Sequence, residues 1–178
     1  MSTPERSYHL MADSTMLVNN KPFFVPHFAP EFVMHAALAV RIHRLGKNIA
    51  PRFAHRYFES VAACAVVEPR GMQANAFDAR FTAFDGAFFL GEGVALAGLD
   101  TTAGFSVRAC AETEPADATA TITAEQIHEA VAEASQYFTL KMGDIIVLGS
   151  DTEGHRLNIG EHINATVNEK ESLKMRIK

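Results

Sequence analysis

Histidine and carboxylate side chains are the groups in this chain best able to move protons or hold a metal ion. Their spacing decides which chemistries stay open. The sequence has eight His, two Cys and 21 Asp or Glu residues, and none of the common arrangements is complete. His128-Glu129 begins like a zinc-protease helix, but position 132, where the second ligand belongs, is Ala. Gly91-Glu92-Gly93 supplies two glycines of a dinucleotide loop. A third glycine at the needed spacing and a following helix are both missing, so the stretch reads as a strand-to-loop turn. There is no G-x-S-x-G elbow and no G-x-x-x-x-G-K-[ST] loop. Cys64 lies in an apolar run, where a thiol is a small inert hydrophobe. His43 and His55 sit among basic residues and read as solvated or packed. His27 and His35 lie near each other in sequence, and either share a pocket or are unrelated. Residue chemistry alone shows no active site.

The elements that must position these groups are mostly strands. His35–Ile42 is a short apolar run that predicts a buried strand. Glu59–Val67 is apolar on both faces, as an interior strand should be. Asn48 is placed to cap a short helix with Pro51 in its first turn, burying Ile49, Phe53 and Tyr57 as one stripe. A second helix is signalled by Thr123 and Gln126, which form a capping box, followed by Ile127, Ala130, Val131 and Ala134 at helical spacing. Lys141-Met142-Gly143-Asp144 predicts a turn into a strand over Ile145–Leu148. The tail reads as a hairpin, with Ile163, Ala165 and Val167 before Asn168-Glu169-Lys170 and Leu173, Met175 and Ile177 after it. Ala111–Thr121 is acidic and rich in small residues, and reads as a surface loop. Two helices among many strands predict an α+β fold dominated by sheet.

With 178 residues, 48% hydrophobic and 21% charged, the chain fits a single domain spanning 1–178, with residues 1–12 loosely ordered. Two cysteines are too few for a disulfide framework or a thiolate zinc site. No secretory signal and no window of about 20 apolar residues is visible, so the expected location is cytoplasmic, away from membranes. The net charge of −5, without a basic stripe over the whole chain, argues against nucleic acid as a partner.

Four stretches together resemble the fumarylacetoacetate hydrolase family, especially its small bacterial members. They are Lys21-Pro22-Phe23-Phe24-Val25-Pro26, the run from Arg41 to Ala50, Phe84-Asp85-Gly86, and Phe138-Thr139-Leu140-Lys141-Met142-Gly143-Asp144-Ile145-Ile146. The likeness covers about Asp13 to Lys178. It implies an α+β, mostly β, mixed β-roll or sandwich with a few short helices. It also implies a homodimer, and chemistry in which Mg²⁺ or a similar ion helps to cleave, decarboxylate or isomerise small oxo-acids.

The same resemblance implies where the family's site residues fall. The E-x-E metal pair falls on His35-Ala36-Ala37, the metal-binding Asp on Val66, and the assisting Lys on Thr82. Arg70 and Gln73 match substrate-reading positions, and Ser150 matches a hydroxyl in a "GTP" turn. Alternatively, Arg70 pairs with a neighbouring acid and Ser150 caps a turn. Glu68 is the one nearby carboxylate able to compensate, because it points to the same strand face as Val66. A single carboxylate with one imidazole makes a poor Mg²⁺ site.

The expectation is therefore a non-catalytic family member with no metal. It would act as a scaffold, a regulator or partner of an active relative, or a binder of a small oxo-acid through Arg70, Gln73 and Ser150. The alternative is a working hydrolase, decarboxylase or isomerase with a rebuilt site, in which His35, Glu68 and His27 hold Mg²⁺ or a softer ion such as Zn²⁺.

Overall fold

The computed structural model describes residues 8–73, 78–81, 83–111, 114–149 and 154–178. Twelve strands run in chain order: β1 (Met16–Val18), β2 (Pro22–Phe23), β3 (Glu31–Ile42), β4 (Phe58–Arg70), β5 (Phe88–Leu90), β6 (Val94–Ala95), β7 (Phe105–Ala111), β8 (Glu114–Ile122), β9 (Ile145–Gly149), β10 (His155–Arg156), β11 (His162–Val167) and β12 (Lys170–Ile177). Among the described residues the other elements are one α-helix, α1 (Ala124–Tyr137), and short 3-10 turns. The first sheet is ordered β1-β5-β4-β3-β10, with β6 also on β4 and β9 also on β3; the second is β2-β12-β11-β7-β8. The α+β, mostly β architecture expected from the sequence is the one observed.

The main core lies between the sheets. Leu38, Val40, Ala63 and Val67 from the first meet Val107, Ile163, Val167 and Leu173 from the second. Phe23 packs edge-on against Phe32 and Phe89, with ring centroids 6.2 and 5.3 Å apart. Ala37, Ala39, Ala62, Cys64, Phe88 and Leu90 form a smaller cluster on the far face of the first sheet. The middles of β3 and β4, residues 36–40 and 61–65, are therefore buried on both faces, which is why those stretches read as apolar runs.

The helix begins where its capping box requires. The Gln126 amide donates to Thr123 Oγ1 at 3.1 Å, and the Thr123 amide donates to Gln126 Oε1 at 2.7 Å. Ile127, Val131 and Ala134 face the main core. The final hairpin turns at Asn168 and Glu169, whose φ values of 46° and 67° give the turn the twist of its flanking strands. Beyond it, β12 lies between β11 and β2, pairing parallel with the latter through Arg176↔Pro22 and Ile177↔Phe23. Among the described residues no helix is long and apolar enough to cross a membrane.

Two local expectations are corrected. The stretch read as a loop over 111–121 is largely strand: β8 pairs with β7 from Phe105↔Ile122 to Ala109↔Ala118. Ala118, Ala120 and Ile122 are buried, and Thr121 between them is exposed. The period of two was present, but in residues too small to register as hydrophobic alternation. Residues 112–113 lie outside the described residues. The segment after Asn48 is a 3-10 helix over Pro51–Arg56, and Asn48 itself has φ 51° and caps nothing. Three residues per turn put Ala54 and Tyr57 inward and leave Phe53 38% exposed, so the expected stripe at i, i+4, i+8 does not form.

Candidate functional site

Strands β3 and β4 pair antiparallel, with Val33 opposite Glu68, His35 opposite Val66 and Ala37 opposite Cys64. Alternation along each strand then puts Val33, His35 and Ala37 on one face with Cys64, Val66, Glu68 and Arg70. Toward Ala39 and Ala62 this face is covered by the smaller apolar cluster. Toward Glu31 and Arg70 it emerges into solvent, and the polar side chains gather at that rim.

His35 and Glu68 sit diagonally across the two strands, with Nε2 and Oε2 3.3 Å apart. Arg70 Nη2 reaches the same carboxylate oxygen at 3.0 Å. The side chains of His35, Glu68 and Arg70 are 25%, 40% and 48% exposed, so water reaches all three. Beneath them lies a hydrocarbon floor of Ala37, Val66 and Phe88, with the Cys64 thiol fully buried; burial pushes that thiol far above its ordinary pKa and keeps it protonated.

One wall of the site gave no signal in the sequence. Gly154 passes so close to β3 that a Cβ there would lie 2.4 Å from Val33 Cγ1, 2.7 Å from the Met34 carbonyl and 2.8 Å from His35 Cε1. Only glycine lets the chain press against the imidazole. The next residue, His155, starts β10 opposite Met34 and is tied to Glu161. His155 Nε2 and Glu161 Oε2 are 3.1 Å apart, and both side chains are almost fully buried. The Asn158 amide and its side-chain Nδ2 donate to the two oxygens of Glu161 at 3.0 and 2.7 Å. Burial by itself would raise the Glu161 carboxyl; the Asn158 and His155 hydrogen bonds outweigh it and hold the group below its ordinary value. This knot fixes the strap that holds Gly154 against His35. A lone Gly-His in a polar stretch carries no spacing that could have announced it.

The sequence family described as Fumarylacetoacetate (FAA) hydrolase C-terminal matches residues 2–178. The chain belongs to the fumarylacetoacetate hydrolase family. Solved structures agree on the fold. The 5-carboxymethyl-2-hydroxymuconate delta-isomerase from Mycobacterium smegmatis superposes with a TM-score of 0.83 at 19% identity, over 99% of this chain and 71% of that one. The fumarylpyruvate hydrolase from Pseudomonas aeruginosa, in complex with Mn²⁺ and pyruvate, gives 0.77 at 15% identity, over 92% and 75%. The maleylpyruvate hydrolase from Sphingobium sp. SYK-6 gives 0.79 at 16%, over 95% and 64%. No curated protein matches the chain.

Against that family background, His35, Ala37 and Val66, the positions where the resemblance puts metal-binding carboxylates, do share one face. Glu68 does reach His35. Arg70 pairs with it, which is the neighbouring-acid alternative raised from the sequence. Gln73 is exposed beyond the Gly71 turn and makes no hydrogen bond to the three among the described residues. His27 is exposed, and among the described residues no three His, Cys, Asp or Glu side chains converge as an ion-binding group. Thr82 and Ser150 lie outside the described residues.

Among the described residues, the donors gathered on this face do not suit a hard dication. Mg²⁺ wants near-octahedral oxygen ligands. At the converging positions the chain offers an imidazole, a methyl group and an isopropyl group, with one carboxylate whose oxygen already accepts from a guanidinium. A softer ion prefers imidazole and thiolate, but the Cys64 thiol is held protonated.

Proposed function

We propose that this chain is a metal-independent, non-catalytic member of the family that holds a small carboxylate anion, such as a 2-oxo acid, at the rim of β3 and β4. The observation that carries this reading is the state of Glu68, whose oxygen is shared by Arg70 at 3.0 Å and His35 at 3.3 Å over an apolar floor. A guanidinium with a free edge and an imidazole side by side suit an incoming carboxylate, which would take over part of the pairing that Glu68 now provides. Gln73 stands near enough in sequence to extend the contact. As a partner we propose a second copy of the chain or an active family member, in which this protein acts as scaffold or regulator.

The test is calorimetric titration of pyruvate into protein stripped with EDTA. Binding that is unchanged by added Mg²⁺ or Mn²⁺ and lost in Arg70→Ala supports the reading. Binding that requires the ion, or a melting temperature raised several degrees by the ion alone, overturns it.

A second reading is favoured by the closeness of His35 to Glu68 and by the hydrolases and isomerases that share the fold. In it the protein is a hydrolase, decarboxylase or isomerase of small oxo-acids with a rebuilt site. Metal recovered with the purified protein, together with turnover of an acylpyruvate that falls in His35→Ala, would establish it over the first.

A further inference from the structure

Residues 41–57 carry five of the chain's 16 Lys and Arg residues and none of its 21 Asp and Glu residues. The remainder of the chain (11 bases against 21 acids) has a net charge of −10. The basic side chains of this segment form a row held by aromatic rings. The Arg44 guanidinium lies over Tyr57 at 5.9 Å; Arg56, next in sequence, lies over Phe53 at 4.8 Å; Arg52 covers the same Phe53 ring at 4.7 Å. All three arginines are exposed, and among the described residues none of them, nor Arg41, has a carboxylate partner. Near the end of the row His43 Nδ1 lies 3.8 Å from the Glu59 carboxylate.

The row stands on a rigid footing. Ile49 and Ala54 are buried beneath it. The Ile49 amide donates to Ser135 Oγ on α1 at 2.8 Å, the Asn48 amide to the Ser135 carbonyl at 2.9 Å, and Lys47 Nζ to the Gln136 carbonyl at 2.9 Å. Gly46 packs so closely on Tyr57 that a Cβ would lie 2.5 Å from the ring. Stacking on Phe53 and Tyr57 limits the rotamers of three arginines, so less freedom is lost when they meet an anion. Arginines beside partly exposed aromatic rings are also the residues that dominate protein interfaces.

We propose that the Arg44–Tyr57–Arg56–Phe53–Arg52 row is a docking surface for an acidic stretch of another polypeptide. Carboxylates would meet the guanidinium forks, and an apolar side chain would rest on the exposed edge of Phe53. A short acidic segment fits better than a nucleic acid. Outside this segment the chain carries a net charge of −10, which disfavours a long polyanion running past the row. The proposal is independent of the His35–Glu68 site.

The test uses a fluorescein-labelled deca-glutamate peptide and the full chain, followed by fluorescence anisotropy at about 25 mM salt, where screening is weak. The expected result is saturable binding that disappears at high salt. Arg52→Glu with Arg56→Glu should weaken it by roughly tenfold or more, the size expected when several exposed ion pairs are reversed together. Lys21→Glu with Lys178→Glu, the same charge change on the second sheet, should leave it within about twofold. If circular dichroism shows that the double reversal disturbs folding, Arg52→Gln with Arg56→Gln replaces it, with a loss of about threefold expected. The proposal is overturned by absence of saturable peptide binding, by equal losses in the Lys21/Lys178 control, or by tighter binding of a labelled 12-nucleotide single-stranded DNA.

Discussion

His35 Nε2 and Glu68 Oε2 lie 3.3 Å apart on diagonal positions of two strands whose middle stretches are buried on both faces. The pair is partly open to water, so its Coulomb attraction is screened and its contribution to stability is small. Glu68→Gln should change the unfolding free energy by about 1 kcal/mol or less, measured by urea denaturation. A loss several times larger would make the pair a structural element and remove it from consideration as a ligand site.

Restoring the carboxylates that the resemblance implies should be costly. His35→Glu, Ala37→Glu and Val66→Asp together would crowd three like charges onto one face, where position 37 is only 1% exposed. Without a cation the triple variant should lose about 3 kcal/mol or more. Added Mg²⁺ should then raise its melting temperature while leaving that of the natural sequence unchanged. A triple variant as stable as the parent in EDTA would contradict the account of why those residues are apolar.

The strap that holds Gly154 against His35 should be acid-sensitive. The Glu161 carboxyl is held below its ordinary value in the folded state. Its contribution is therefore present above the ordinary carboxylate range and is lost as pH falls through the lowered value. Stability of the parent should drop with acidification more steeply than that of Glu161→Gln. At neutral pH the variant should be less stable by about 1–3 kcal/mol, because the amide accepts more weakly than the carboxylate from the Asn158 donors.

The opposite ionic type works at His128. Burial, then the nearby His55 ring, holds His128 below the ordinary histidine value, and Glu125 opposes them only in part. The unfolded chain thus binds this proton more readily, so stability falls as pH drops from the ordinary histidine value toward the lowered one. His128→Gln should flatten that slope in thermal melts taken between about pH 7 and 5. An unchanged slope would assign it to another group.

Much of this architecture was legible from periodicity. The double-sided runs of β3 and β4, the capping box at Thr123 and the alternation after Asn168 each state their element in residue type. β8 was hidden because Ala118 and Ala120 alternate with Thr119 and Thr121, a pattern with little hydrophobic contrast. Phe53 was misplaced because a proline-led 3-10 turn runs on a period of three. Within the site, parity along one strand was enough to place Glu68 with Val66. The His35 contact needed the strand register, which no single segment encodes, and the closure by Gly154 needed the approach of a segment more than a hundred residues away.

The placement of β12 between β11 and β2 bears on how the molecule is born. Ile177 in this strand pairs with Phe23, and the Lys178 amide donates to the Phe23 carbonyl. The second sheet therefore cannot close on the ribosome before translation reaches residue 178. Until then β2 waits unpaired, and the apolar inner faces of β7, β8 and β11 lack the strand that completes them. A chain made only as far as β11 carries that apolar surface uncovered, a state prone to misassociation.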